Sequence, residues 1–98
     1  METALNEIYL DNGATTKPSE GVVAKMREVL ETAYGNPSSL HRKGQEAERY
    51  VKEARETLAQ VLQVDPVSVY FTSGGTECSN TAILGAASSS ERRGKHIL

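Results

Sequence analysis

Apolar residues first recur at helical spacing. Val22, Val23, Met26, Val29, Leu30 and Ala33 fall three and four apart, which lays them along one face of a helix. Ser19 is placed to accept a backbone N–H as its N-cap, and the pattern ends near Tyr34-Gly35. A longer stripe of Ala47, Val51, Ala54, Leu58, Val61 and Leu62 runs through residues 40–63. Arg42, Lys43, Glu46, Arg49, Lys52, Glu53 and Glu56 lie outside it, which predicts a second amphipathic helix with a solvated charged face. Between the two, Gly35-Asn36-Pro37-Ser38-Ser39 is a breaker cluster. There Pro37 biases Asn36 away from the helical region and a serine is available to cap the next element.

Two shorter runs read as strands. Ile8-Tyr9-Leu10, closed by Asp11-Asn12-Gly13, predicts a brief strand and a turn. After the break at Asp65-Pro66, the segment from Val67 to Thr72 is β-branched, aromatic and almost continuously apolar, which predicts a strand covered on both faces. A glycine turn then leads into a third helix through Cys78, Ala82, Ile83 and Ala86. A polar connector follows, and Lys95 to Leu98 open as a further strand. The order gives an α/β class, its last strand–helix–strand a right-handed crossover. Such a sheet is too small to cover three helices, so it reads as incomplete, with an end that looks cut at Leu98.

Composition narrows the function classes. The 98 residues carry 38% hydrophobic and 24% charged residues, in the range of one folded domain, and contain no apolar run of the ~18 residues that a membrane span needs. Eleven basic against thirteen acidic residues leave a net charge of −2, without the basic excess that a phosphate backbone attracts. Neither nucleic acid nor a membrane is an expected partner. One cysteine, Cys78, and two separated histidines, His41 and His96, supply neither a disulfide nor a metal cluster, and a reducing, cytoplasmic setting is expected. The first residues show no basic region followed by an apolar run, and so no secretory signal.

The sharpest chemical feature is Thr72-Ser73-Gly74-Gly75-Thr76, between the predicted strand and helix. A helix N-terminus presents unpaired N–H groups and partial positive charge, glycines let an anion approach the backbone, and the Ser73 and Thr76 hydroxyls can add donors. The functional reading is a phosphate cup. The bland one is that a tight turn needs glycine for its own geometry. Glu77 follows Thr76, so this is not a P-loop, and no G-x-G-x-x-G dinucleotide fingerprint is present.

Several blocks in order, IYLDNGATT, YGNPSSLH, the alanine-rich amphipathic helix, VYFTSGGTE with Asn80, and GKHI, make the chain resemble the N-terminal part of a cysteine desulfurase. These enzymes belong to the class V aminotransferase group of pyridoxal-phosphate proteins, and the resemblance covers Ile8 to Leu98. It implies part of a fold-type I enzyme, a mixed sheet flanked by helices. Residues 1–14 would belong to the small domain, and residues 15–98 would begin the large, cofactor-binding domain. The full enzyme would be a homodimer that converts L-cysteine to L-alanine. Its sulfur passes to an enzyme cysteine persulfide and on to an acceptor or scaffold protein, as in iron–sulfur cluster assembly. By matching positions, the resemblance implies that Gly75, through its N–H, and Thr76, through N–H and hydroxyl, hold the pyridoxal 5'-phosphate phosphate.

The Schiff-base lysine, the ring-stacking histidine, the carboxylate on the pyridine nitrogen and the persulfide cysteine have no counterpart here. Hence no catalytic residue is assigned, Lys17, Lys25, Lys43, Lys52 and Lys95 read as surface lysines, and the 98-residue chain alone is expected to be inactive. Cys78, His41 and His96 read as structural, Cys78 as a packed side chain. Asn12, Thr15, Thr16 and Asn36 sit in loops that approach the active site or dimer interface in the family. Asn80 reads equally as a helix-facing hydrogen bonder. A selenocysteine lyase or another class V enzyme is a close alternative, and a short non-catalytic interaction protein is one of another class.

Overall fold

The computed structural model describes residues 6–94 and His96. Its elements are α1 (Glu20–Thr32), α2 (Arg42–Leu62), a 3-10 turn (Pro66–Ser68) and α3 (Gly75–Ser89). Two compact units, Met1–Val51 and Lys52–Leu98, divide the chain, and α2 contributes to both.

In the first unit the predicted cap is present: Ser19 is extended, with its Oγ accepting from the Val22 N–H at 3.4 Å. The start of α2 lies against the end of α1. Lys43 Nζ donates to the Thr32 carbonyl at 2.9 Å and lies 5.0 Å from the Tyr34 ring centroid, which sets a cation on the negative end of α1. One turn back along α1, the Tyr50 hydroxyl and Lys25 Nζ donate to the two Glu28 carboxylate oxygens at 2.7 and 2.8 Å. Lys25 first, and then Tyr50, hold the Glu28 carboxyl below its ordinary range, while the same carboxylate raises the Tyr50 hydroxyl.

Ala33 and Ala47 are buried in this unit, and two glycines permit the close approach. A Cβ on Gly35 would run into the Lys43 carbonyl, and one on Gly44 into the Ser39 carbonyl. The helix α2 is capped differently from the expectation. Asn36 Oδ1 accepts from the Ser38 N–H and the Asn36 carbonyl from the Ser39 N–H, both at 2.9 Å. Both serines thus belong to the turn, and the residue next to the helix, His41, accepts from the Gly44 N–H through Nδ1 at 3.3 Å.

In the second unit α2 stops at Gln63, which adopts φ 55. The Val64 N–H reaches the Ala59 carbonyl at 3.0 Å and the Gln63 N–H that of Gln60 at 3.3 Å, the paired bonds of a Schellman stop. Asp65 Oδ1 then accepts from the Val67 N–H at 3.0 Å and starts the 3-10 turn.

The sheet is where sequence and structure part. Among the described residues no strand forms. Ile8-Tyr9-Leu10 has no ladder partner, although the predicted turn after it exists, with the Ala14 N–H on the Asp11 carbonyl at 3.0 Å. The predicted strand from Val67 begins inside the 3-10 turn, and only its later part, from Val69 (φ −97, ψ 119), runs extended. A strand exists by pairing its N–H and C=O groups with a neighbour, and among the described residues no second segment pairs with either run. The mixed sheet is therefore absent from the described residues, and the strand expected over 95–98 lies mostly outside them.

The apolar faces show the same lack of cover. Among the described residues only Ala33, Ala47 and Ala59 are buried hydrophobics, while Met26 is 57% exposed, Leu30 71% and Val61 75%. No helix of the described residues is long and apolar enough to cross a membrane.

Candidate functional site

The turn singled out in the sequence lies at the start of α3, whose first residue, Gly75, comes three residues before the apolar spacing that begins at Cys78. Gly74 is the N-cap residue and offers no side-chain bond, and the Cys78 N–H closes the first helical turn on the Gly74 carbonyl at 3.1 Å. The N–H groups of Gly75, Thr76 and Glu77 therefore precede the ladder of α3 and have no intrahelical acceptor. The Thr72 hydroxyl donates to the Gly74 carbonyl at 3.1 Å and ties the approach to the cap.

Ser73 and Glu77 form a reciprocal arrangement across this turn. The Ser73 N–H donates to Glu77 Oε2 at 2.9 Å and its hydroxyl bonds the same oxygen. The Ser73 hydroxyl and then its N–H hold the Glu77 carboxyl below its ordinary range. The sequence offered the Ser73 hydroxyl as a further donor for an anion, but here it is engaged by Glu77. The spacing is four residues, one more than the three of a capping box, so the pair carries no usual sequence mark.

The structure also bears on the two readings of the glycines. Gly74, at φ 169, is in extended backbone that any residue adopts, and Gly75 begins an ordinary helix. A Cβ added at either would meet nothing within 4 Å. Within the described residues the turn's own geometry demands glycine at neither position. What the pair provides is an open path to the Gly75 and Thr76 N–H groups. That donor set, with the exposed Thr76 hydroxyl beside it, fits the phosphate of a pyridoxal cofactor chemically.

The other candidates are distributed elsewhere. Asn12 Nδ2 donates to the Tyr9 carbonyl at 3.3 Å, and the Tyr9 hydroxyl donates to the Asp11 carbonyl at 3.0 Å and bonds the Thr15 hydroxyl. Thr15, Thr16 and Lys17, with Glu7 and Tyr9, line a shallow concavity of about 560 Å³. Asn36 is consumed by its turn and His41 by its cap. Cys78 is a free, exposed thiol rather than a packed one. His96 lines a concavity beside Ala82, Ile83 and Ala86. Sequence reasoning also passed over Arg55. Its guanidinium lies 5.3 Å from the ring centroid of Phe71, the residue immediately before the turn.

Comparison with known proteins agrees with the residue blocks. The model of the aminotransferase class-V family matches residues 8–98. The NifS/IcsS protein homolog of Lactobacillus delbrueckii subsp. bulgaricus is 44% identical over 91 residues, covering 93% of this chain and 24% of that protein. The cysteine desulfurase IscS of Dictyoglomus turgidum is 42% identical over 92 residues, covering 94% and 23%. That of Pseudoalteromonas translucida is 45% identical over 94 residues, covering 93% and 23%. The chain thus spans about a quarter of the length of the curated relatives it matches. No solved structure matches it significantly. With residues 8–98 of 98 accounted for by one family model, the chain belongs to the aminotransferase class-V family.

Proposed function

We propose that this segment works within a pyridoxal-phosphate-dependent cysteine desulfurase, where Gly75 and Thr76 hold the cofactor phosphate. The observation that carries the reading is the pair of glycines at the start of α3. Neither is required by the turn's own φ angles or contacts, and both leave helix N-terminal N–H groups approachable. Thr76 adds a hydroxyl to its own N–H. Glu77, occupied by Ser73, has its charge directed to the near side of the turn. The cofactor, when bound, supplies an electron sink for chemistry at the α-carbon of an amino acid. This chain's share is to bind and orient it.

In this reading residues 1–14 belong to the small domain and residues 15–98 open the large one. The extended stretch from Val69 becomes a strand of a mixed sheet once neighbouring strands pair with it. The substrate is L-cysteine and the products are L-alanine and a persulfide on an enzyme cysteine, passed to an acceptor protein. The working form is a cytoplasmic homodimer, and the 98 residues by themselves are inactive.

The test is Thr76→Ala in a polypeptide of the relatives' length that carries this segment. Loss of one hydrogen bond to a charged group, about 1.5–3 kcal/mol, should weaken cofactor retention by roughly tenfold or more. Cofactor affinity equal to that of the parent would refute the assignment.

A further inference from the structure

The approach to the turn is held by a residue that the phosphate reading does not use. Arg55, on α2, has its Nε buried and without a hydrogen-bond partner, and it makes no ion pair among the described residues. A buried charged donor without an acceptor is costly, so hydrogen bonding does not explain where this guanidinium sits. Its contact is the Phe71 ring, 5.3 Å from Cζ to the centroid, within the reach of a cation–π interaction.

Phe71 is followed by Thr72, whose hydroxyl holds the Gly74 carbonyl at 3.1 Å, and that carbonyl accepts the first bond of α3. A short physical chain therefore runs from Arg55 through Phe71 and Thr72 to Gly74, the N-cap residue that precedes the open Gly75 and Thr76 N–H groups. No ladder holds the stretch 69–72; the Phe71 ring ties it to α2 and the Thr72 hydroxyl ties it to the cap of α3.

We propose that Arg55 is a positioning residue for the phosphate turn, acting through the Phe71 ring rather than by touching the anion. The proposal rests on the phosphate-binding reading of Gly75 and Thr76. It calls for a flat, delocalised cation at position 55, which a lysine ammonium does not replace, and for an aromatic ring at position 71.

The experiment is a 15N NMR titration with pyridoxine 5'-phosphate, which lacks the aldehyde and so cannot condense with lysines, of a cofactor-free polypeptide of the relatives' length that carries this segment and is labelled at glycine and threonine. The signals followed are the Gly75 and Thr76 amides. Arg55→Lys keeps the charge, and Phe71→Leu removes the ring without altering charge. Each should weaken the binding read at these amides by roughly two- to fivefold, the range of a partly exposed cation–π contact. The double variant should lose no more than either single one, and Phe71→Tyr should restore parent affinity. Arg55→Lys with parent affinity, or two losses that multiply in the double variant, would overturn the positioning role while leaving the phosphate reading intact. No response of Gly75 and Thr76 in the parent polypeptide would refute the phosphate reading itself, and this proposal with it.

Discussion

Replacing Gly44 by alanine tests the fit of α1 and its loop against α2. Alanine in place of glycine inside a helix normally stabilises it by about 0.5–1 kcal/mol. At Gly44 the added Cβ would stand 2.7 Å from the Ser39 carbonyl carbon and 2.8 Å from the Asn36 carbonyl oxygen, closer still to the Ser39 oxygen. All of these are main-chain atoms of a turn fixed by two 2.9 Å hydrogen bonds around Asn36. They cannot rotate aside as a side chain would. Overpacking of this kind costs about 1–3 kcal/mol, and a rigid neighbour puts it toward the upper end. After the propensity gain is subtracted, Gly44→Ala should destabilise by roughly 1–2 kcal/mol. Gly85, inside α3 with nothing within 4 Å of an added Cβ, is the control, and Gly85→Ala should stabilise by up to about 1 kcal/mol. Urea unfolding followed by circular dichroism would compare the three proteins. A Gly44→Ala midpoint at or above the parent's would refute the close approach between α2 and the turn at Asn36.

Two further outcomes are expected. Gln63, a side-chain residue at φ 55, sits where glycine is favoured, so Gln63→Gly should stabilise by about 0.5–1 kcal/mol. An unchanged or lower urea midpoint would contradict the Schellman stop. The Glu77 carboxyl is lowered by its bonds from Ser73. Its stabilisation is therefore fully present above the ordinary carboxylate range and is lost as pH falls through the lowered value. The protection of the Ser73 amide relative to its intrinsic exchange rate should drop in acid in the parent and show no such step in Glu77→Gln, and protection that persists in acid would tell against the pair.

The helices were legible because their signals are local. The Ser19 cap, the apolar stripes and the break at Asp65-Pro66 each act within a few residues of chain, and α1 and α2 appear where those signals put them. The stop at Gln63 was not, since a left-handed glutamine carries no compositional mark. The strands from Ile8 and Val67 were read from their own composition, but a strand is a property of two segments. Composition cannot say whether the second is there. Of the site, the glycine turn was visible as a pattern. The Ser73–Glu77 pair escaped because its spacing is off the usual template. Arg55 could have been found: it lies four residues after Val51 and three before Leu58, on the apolar stripe itself. A cation at such a position asks for an aromatic or acidic partner.

The fastening of α1 to α2 has a consequence for how the chain comes to be folded. Its contacts join residues 11 and 22 positions apart, Lys43 to Thr32 and Tyr50 to Glu28, with Gly35 and Gly44 meeting between them. Closing loops of that length is entropically cheap, and structure built from such near neighbours forms quickly. Nothing in this pairing waits for a residue beyond Val51. On a chain made from its N-terminus, the helical hairpin can close while Arg55, Phe71 and the phosphate turn are still to be synthesised, so the turn is delivered onto a helix whose first half is already anchored.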